Sequence, residues 1–336
     1  MRISRAVHAS RPTEIIFTSG ATESNNAIIL GLLQARLETE RQKGHKDYAP
    51  HFITSAIEHD AVLALLPIMR ARGFEATVLK PDRQGRISEE ALQAALRPNT
   101  ALVSIMWANN EIGTVQDIPA LCGIAHANGA LFHTDATQAV GKVPVDLSAA
   151  GVDAASFSSH KVCGPKGIGA LYVKTGTTFD PLLVGGGQES GRRSGTQNVA
   201  GMVGFAAACE ASCHMLEGEM PRLSALRERL YQGLMRTGRA KRTIPEAQGA
   251  TFLPNIAHLV VPGIESETLI LQLDLAGFAV SGGSACSTGS LEPSHVLSAI
   301  GVKRDEALCS LRISLGRYTT ADEVERFIAA FAQVFG

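Results

Sequence analysis

Lys161 is the first residue in this sequence whose type and position could support covalent chemistry. It lies in the segment SFSSHKVCGPKGIGALYV, directly after a β-prone run and before a Gly-Pro turn. A lysine amine can form a Schiff base with an aldehyde cofactor, and can later act as a base, when its surroundings favour the neutral form. Most lysines lie on the surface without such a role, so the neighbouring segments must decide.

An acidic residue and an amide follow the preceding apolar run. That run ends in HTDATQAVGK, which puts Asp135 and Gln138 at its carboxyl end. An acid there could pair with a pyridinium nitrogen and keep a cofactor ring protonated, so that the ring withdraws electrons from a carbanion. An Asp after a strand is also a common helix N-cap, and the residues alone leave both interpretations open.

The segment FTSGATESNNAIILG has the order of a strand, a glycine turn and a helix start. The backbone N–H groups of Gly20, Ala21 and Thr22, together with the Thr22 hydroxyl, could hold a phosphate at that helix N-terminus. Gly-Thr turns also cap many helices without binding anything, so this segment is weak support by itself.

Cys286 lies in SGGSACSTGS, a run of small residues that predicts a mobile loop. A mobile thiol could attack sulfur at one place and carry it to an acceptor at another. We interpret the other cysteines as small packed side chains. Cys209 and Cys213 share a helical face beside His214, but the further ligands of a metal site are not apparent, so no metal is predicted.

The candidate residues must be positioned by secondary-structure elements. The sequence contains seven β-prone runs, separated mostly by helix-length stretches, that could position them. Such alternation predicts a largely parallel α/β sheet, with functional residues at the strand ends and in the loops that follow. Two of the intervening stretches, Ala27–Glu40 and Asp60–Arg72, are predicted helices. The runs are Glu14–Thr18, His51–Ser55, Ala76–Leu79, Ala101–Met106, Ala130–Thr134, Ala154–Ser158 and Gly169–Val173.

The pattern changes after the glycines at 185–187. An Ala-rich helical stretch, Val199–Arg236, is followed by the strand NIAHLVV and helices near Glu267–Leu275 and Thr320–Phe335. We predict a large domain over residues 1–215, with a mostly parallel seven-stranded sheet flanked by helices, and a smaller α+β domain over residues 216–336. The two domains are expected to pack closely, with a ligand cleft between them.

Composition excludes several function classes. The 336 residues carry 31 Lys+Arg against 32 Asp+Glu, and no segment concentrates basic residues, so nucleic acid is not an expected partner. Charged residues, Gly and Pro interrupt every apolar run before the ~20 residues that a membrane span needs. Six cysteines without a CxxC pair favour a reducing compartment, and we expect a soluble, cytoplasmic protein.

Taken in order, eight segments make the chain similar to cysteine desulfurases of the NifS/IscS type, a branch of the class V aminotransferases and of the fold-type I pyridoxal-phosphate enzymes. The resemblance runs from about Glu14 to the C-terminus. The segments are GATESNN, EHDAVL, NNEIGTVQDI, HTDATQAVGK, SSHKVCGPKGIGALYV, GGGQESGRRSGTQN, SGGSACSTGSLEPSHVL and LRISLGRYTT.

The resemblance implies pyridoxal 5'-phosphate as cofactor and assigns its ligands. Lys161 would bind it covalently, Asp135 would pair with the pyridinium nitrogen, Gln138 would bond the phenolic oxygen, and His59 would stack on the ring and handle protons. A further set would hold the phosphate, the last of them from the second subunit of a homodimer: Ala21, Thr22, Ser158, His160 and Thr196.

For the substrate, L-cysteine, the resemblance implies that Asn110 and Arg312 face the carboxylate, an arginine being suited to bidentate pairing. It also assigns Asn110 to the cofactor-binding residues. Lys161 would remove the Cα proton, and Cys286 would accept the sulfur as a persulfide while L-alanine leaves. The sulfur would pass to a scaffold protein of the NifU/IscU type for iron-sulfur cluster assembly. MWANNEIG and CSTGS favour the nitrogen-fixation-associated NifS subgroup, and the loop containing Cys286 resembles the longer-loop group.

Two alternatives remain from the sequence. A selenocysteine lyase or another pyridoxal-phosphate lyase or aminotransferase would share these residues but would not need Cys286. The resembled family also usually begins with a further N-terminal segment containing an ATTP-like loop, which the sequence given does not contain. The second alternative is therefore a truncated, non-catalytic relative that retains a partner-binding surface.

Overall fold

The computed structural model describes residues 1–245, 250–282 and 292–336, which form two compact units. Unit 1 comprises Met1–Lys80, Ile87–Ala108 and Gln116–Met215. Unit 2 comprises Pro81–Arg86, Asn109–Val115 and Leu216–Gly336. Two short segments within the first 215 residues therefore belong to the unit that is built mainly from the C-terminal part of the chain.

Unit 1 is organised around a seven-stranded sheet in the order β1-β7-β6-β5-β4-β2-β3. The strands β6, β5, β4, β2 and β3 are parallel neighbours, whereas β7 is antiparallel to both β6 and β1. The predicted mostly parallel sheet is therefore confirmed. The strands are β1 (Ile15–Thr18), β2 (His51–Ser55), β3 (Glu75–Leu79), β4 (Thr100–Ser104), β5 (Leu131–Asp135), β6 (Ala154–Ser158) and β7 (Gly169–Val173).

The helices of unit 1 bury apolar faces against this sheet. Ile28, Ile29 and Leu33 of the longest helix are fully buried in one apolar cluster with Leu102 and Leu171 of the sheet. The helices are α1 (Arg2–Ala6), α2 (Ala21–Gln42), α3 (Asp60–Leu63), α4 (Leu65–Ala71), α5 (Glu89–Ala95), α6 (Ile118–Ala127), α7 (Leu147–Ala150) and α8 (Val199–His214). Short 3-10 turns span Pro12–Glu14, Ser159–Val162 and Gln188–Gly191.

Unit 2 is a smaller α+β unit, as predicted. Its antiparallel sheet has the order β10-β9-β8, and its helices bury leucines and phenylalanines in a second apolar cluster. The elements are α9 (Leu216–Arg236), β8 (Lys241–Arg242), β9 (Ile256–Val260), α10 (Ser266–Leu275), α11 (His295–Ala299), α12 (Arg304–Ala307), β10 (Ser310–Ser314) and α13 (Ala321–Phe335). Within the described ranges, no single helix is long and apolar enough to cross a membrane.

Three predicted helices have different bounds in the structure. The helix predicted from Ala27 begins six residues earlier, as α2. The stretch predicted as one helix over Asp60–Arg72 is divided at Ala64, because Pro67 has no N–H to continue the hydrogen bonding of the preceding turn. The stretch Val199–Arg236 is two helices, α8 and α9, that meet at Met215.

Candidate active site

Lys161 lies on the 3-10 turn Ser159–Val162, directly after β6. Ser159 and Val162 are buried and anchor the turn, whereas the Lys161 side chain is exposed. The turn is closed by a hydrogen bond from the Gly164 N–H to the Ser159 carbonyl, 3.0 Å. This turn places Lys161 at the carboxyl end of β6, between two buried residues that anchor the turn.

Asp135 is the last residue of β5, the parallel neighbour of β6, and pairs with Ser156 in register. Its carboxylate is buried, with 5% of the residue exposed. Asn25 Nδ2 of α2 donates to Asp135 Oδ2 at 2.7 Å, and the Thr137 N–H donates to Oδ1 at 3.0 Å. One carboxylate oxygen thus caps the following turn, and the other accepts a hydrogen bond from α2. Asp135 therefore has a second interaction besides capping.

Gln138 follows on the turn after β5 and is half-buried. The Lys142 amine donates to Gln138 Oε1 at 3.0 Å. Sequence reasoning missed Lys142 as a neighbour of the site, although its spacing of four residues from Gln138 was a usable signal. Asn25 was missed in the same way, three residues beyond Thr22 on α2.

The N-terminus of α2 lies beside the end of β6. A Cβ on Gly20, the N-cap of α2, would lie 3.8 Å from Ser158 Oγ. A Cβ on Gly169 would lie 2.6 Å from the Gly20 Cα, so the two backbones approach too closely for a side chain at position 169. Ala21 is half-buried and Thr22 is exposed at this helix start.

Three lysines surround His160, whose side chain contacts Ser158 at the end of β6. Ser158 Oγ and His160 Nδ1 are 2.9 Å apart. Burial lowers the pKa of His160, and the charges of Lys161, Lys142 and Lys166 lower it further. A helix N-terminus, a hydroxyl and a cluster of amines form a set of donors suited to a phosphate.

His59 is the N-cap of α3, after the carboxyl end of β2. Its Nδ1 accepts a hydrogen bond from the Ala61 N–H at 3.0 Å, which leaves Nε2 as the donor nitrogen of the neutral ring. The ring is half-buried. The helix cap therefore fixes the orientation of the imidazole.

Glu58, the residue before His59, is fully buried and was not identified from the sequence. Its Oε1 accepts hydrogen bonds from Ser55 Oγ at 2.6 Å and from the Met106 N–H at 2.9 Å. Burial raises the pKa of Glu58 to about 8, and the charge of Asp135 contributes. Glu58 thus ties the loop containing His59 to the end of β4 close to the Asp135 carboxylate.

We expect Glu58→Gln to stabilise unit 1 increasingly as the pH rises from 6 to 8. Because the pKa of Glu58 is about 8 when folded and about 4.5 when unfolded, the folded state holds a proton that the unfolded state lacks in this range. The wild-type free energy of unfolding therefore falls by up to about 1.4 kcal/mol per pH unit from this group. Denaturant unfolding of both proteins at pH 6, 7 and 8 measures the difference.

Glu14→Gln is the matched control for this measurement. Glu14 is also buried, but hydrogen bonds from the Thr175 and Arg11 N–H groups outweigh its burial and lower its pKa. It is therefore ionised in both states between pH 6 and 8, and its effect on stability should stay flat there. A flat difference for Glu58→Gln as well would contradict a protonated Glu58.

Thr196 lies in the segment between β7 and α8 and is exposed. The segment is attached to α2 by a two-pronged ion pair, in which Arg193 Nε and Nη2 contact the Glu23 carboxylate at 2.8 and 3.2 Å. Burial alone would raise the pKa of Glu23, but Arg193 and Ser19 lower it overall. Thr196 therefore lies on the surface of unit 1, in a segment that the Arg193–Glu23 ion pair attaches to the first turn of α2.

The predicted carboxylate-binding residues, Asn110 and Arg312, both belong to unit 2 and contact each other. Arg312 Nη1 donates to the Asn110 carbonyl at 2.9 Å. Arg312 lies on β10 opposite His258 of β9, and burial followed by the Arg312 charge lowers the pKa of His258 to about 3. A neutral His258 leaves Arg312 as the cationic member of this pair.

Cys286 and its predicted mobile loop lie outside the described residues. The described residues on either side are both anchored within unit 2 near the Asn110–Arg312 pair. Ser281 exchanges backbone hydrogen bonds with Arg312, at 3.1 and 2.6 Å. On the other side, Ser294 Oγ donates to the Glu111 carboxylate.

Comparison with known proteins gives consistent matches over nearly the whole chain. Residues 1–327 match the family model described as aminotransferase class-V. The chain is 43% identical over 321 residues to a cysteine desulfurase of Bradyrhizobium diazoefficiens, covering 96% of this chain and 78% of the relative. It is 46% identical over 316 residues to the cysteine desulfurase IscS of Klebsiella pneumoniae, covering 94% of this chain and 75% of the relative. A solved NifS-like protein superimposes with a TM-score of 0.88 at 37% identity, covering 99% of this chain and 85% of that one.

Proposed function

Because the chain belongs to the class V aminotransferase family and, within it, to the NifS/IscS-type cysteine desulfurases, we propose that it removes sulfur from L-cysteine with bound pyridoxal phosphate. The products are L-alanine and a persulfide on Cys286. The observation that carries the proposal lies in unit 1. Lys161 follows β6, the buried Asp135 ends the adjacent parallel strand β5, and α2 contacts both strand ends through Gly20 and Asn25.

The residues of unit 1 fit pyridoxal phosphate by their donors and acceptors. Gly20 and Gly169 carry no side chain where their backbones meet at the start of α2, the end of the helix whose backbone N–H groups a phosphate needs. Asp135 offers a buried carboxylate to a ring nitrogen, and Lys161 offers an amine. When bound, the cofactor supplies an electron sink for the negative charge that develops at the substrate Cα.

Each side chain has a distinct role in this proposal. Lys161 would hold the cofactor through its aldehyde and would take the Cα proton of the substrate. Asp135 keeps the ring nitrogen protonated, and its own position is fixed by Asn25. Gln138 donates to the phenolic oxygen. His59, oriented by its cap on α3, covers the ring and transfers a proton through Nε2.

The phosphate is held by the start of α2 and the end of β6 in this proposal. Thr196, which is exposed on unit 1, would complete the set from the second subunit of a homodimer, as the family resemblance implies. A dimer could also cover exposed apolar side chains from the same stretch of chain, namely Val184, Val199 and Val203, of which 81%, 63% and 60% are exposed. The remaining phosphate ligands are Ala21, Thr22, Ser158 and His160.

Unit 2 supplies the substrate-binding and sulfur-accepting groups. Arg312, with Asn110 beside it, pairs with the L-cysteine carboxylate. The Cys286 thiolate attacks the substrate sulfur, so an S–S bond forms and the substrate Cβ–S bond breaks. The electron pair stays on the substrate carbon, which takes up a proton and leaves as L-alanine. In the net reaction the thiol of Cys286 becomes a persulfide.

The same proposal extends to domains, partners and location. Residues 1–215 bind the cofactor, and residues 216–336 carry the segment with Cys286. The persulfide passes its sulfur to a scaffold protein of the NifU/IscU type in iron-sulfur cluster assembly, including the nitrogenase-associated pathway. We place the enzyme in the cytoplasm, where reducing conditions keep Cys286 a thiol.

The test is a turnover assay on the full chain with pyridoxal phosphate, L-cysteine and a thiol reductant, in which alanine and sulfide are measured in parallel. We expect equal amounts of both products. In Cys286→Ala sulfide release should fall at least about 10²-fold, because the variant lacks the attacking thiolate of the proposed reaction. Mass spectrometry of the wild-type protein without reductant should find one added sulfur on the Cys286 peptide.

Two outcomes would contradict the proposal. Cofactor binding without alanine or sulfide formation would favour a non-catalytic relative. Turnover of selenocysteine that is unchanged in Cys286→Ala would favour a selenocysteine lyase, since that reaction does not need the thiol. Cys122→Ala is the matched control, because Cys122 is buried in α6 and has no part in the proposed site.

A further inference from the structure

Gln138 and Lys142 are linked through their side chains on one tight turn after β5. The turn is closed by hydrogen bonds from the Val140 N–H to the Ala136 carbonyl, 3.1 Å, and from the Lys142 N–H to the Ala139 carbonyl, 2.9 Å. This backbone places positions 138 and 142 on the same side. The Lys142 amine donates to Gln138 Oε1 at 3.0 Å, and both side chains are half-buried.

The chemistry of this pair fixes the direction of the amide. Because the Lys142 amine donates to the oxygen of Gln138, Nε2, with its two N–H groups, is turned the opposite way. We propose that Lys142 is a positioning residue of the cofactor site, which holds the Gln138 amide so that its N–H groups face the phenolic oxygen. The inference rests on the proposed function, in which Gln138 donates to that oxygen.

The electrostatic surroundings of Lys142 extend this role. Burial, followed by the charge of Lys161, lowers the pKa of Lys142 to about 7, and Cys163 acts in the opposite direction. The charges of Lys161 and Lys142 also lower the pKa of His160. Because repulsion between two ammonium groups is mutual, Lys142 also disfavours charge on Lys161. A lysine that must bond to an aldehyde is activated by such a cationic neighbour.

Lys142→Met tests the inference, because methionine has a similar length but neither a donor nor a charge. We expect the dissociation constant for pyridoxal phosphate to rise about tenfold, the loss expected for one hydrogen bond to a charged group. The pH at which the visible band of the bound cofactor changes should move upward, because the repulsion on Lys161 is removed. Lys142→Arg, which keeps donors and charge, should restore the wild-type affinity and should not raise that pH.

Lys174→Met is the matched control, since Lys174 is exposed at the end of β7, away from the proposed site. It should leave both the affinity and the pH response unchanged. Wild-type values for both quantities in Lys142→Met would overturn the positioning role while leaving the proposed function intact. If the wild-type protein shows no cofactor band at all, the proposed function fails and this inference fails with it.

Discussion

Lys161→Ala should abolish the visible absorption band that appears when pyridoxal phosphate is added to the protein, and should reduce alanine formation by on the order of 10³-fold or more. The magnitude follows because one amine serves both as the covalent attachment point and as the base, and each role is worth orders of magnitude. Absorption titration with the cofactor and the alanine assay measure the two effects. Thermal unfolding should be almost unchanged, because the side chain is exposed on a turn anchored by Ser159 and Val162.

Two further variants make this result specific to the amine. Lys161→Arg keeps the positive charge but cannot bond to the aldehyde, so it should also lack the band. Lys166→Ala removes another exposed lysine from the same loop and should keep both the band and turnover within about twofold, as expected of a surface substitution. A full absorption band in Lys161→Ala would contradict this assignment and would show that the cofactor binds covalently to another lysine. Lys142 would then be the first candidate.

Asp135→Asn should lower turnover by about 10²–10³-fold, the range seen when a group that stabilises developing charge is removed. A neutral amide cannot keep the ring nitrogen protonated, so the electron sink is weakened. The variant should also lose stability, by about 1–3 kcal/mol. The reason is that an amide that accepts from the Thr137 N–H must turn its own NH2 toward the Asn25 NH2, which places two donors in contact.

A double variant separates the electrostatic effect from this local conflict. Asn25→Asp combined with Asp135→Asn restores one donor facing one acceptor and should recover most of the stability. Turnover should remain low, because the carboxylate now lies at position 25. Recovery of turnover together with stability would show that Asp135 contributes only to folding.

Asp153→Asn provides a matched control directly before the neighbouring strand, β6. Asp153 is buried to a similar degree, 6% against 5% exposed, and contacts His126 Nε2 at 2.7 Å and the Phe132 N–H at 2.8 Å. It precedes β6 and therefore lies at the opposite end of the parallel strands from Asp135. Its replacement should reduce stability and leave the cofactor band unchanged.

The strands were the most predictable elements. β2, β6 and β7 have the predicted bounds, because short apolar runs bounded by turn residues have few alternatives to a buried strand. The start of α2 was less predictable. Ser24 and Asn25 are polar and interrupt the apolar periodicity, yet both are fully buried and bond to Thr18 Oγ1 and Asp135 Oδ2. Because the buried residues at the start of this helix are polar and hydrogen-bonded, the sequence there lacks the periodic apolar pattern by which a buried helical face is predicted.

The sequence by itself determined the family, the parallel α/β sheet and the identity of Lys161 and Asp135 as candidates, because strand-end residues in parallel sheets share one edge. Only the tertiary structure decided which partners hold them. Asn25 lies 110 positions from Asp135, and the pKa of Glu58 is raised in part by the charge of Asp135, 77 positions further along the chain. It likewise assigned the Asn110 segment to the unit built mainly from the C-terminal part of the chain. These relations depend on long-range packing and desolvation, which local residue patterns do not encode.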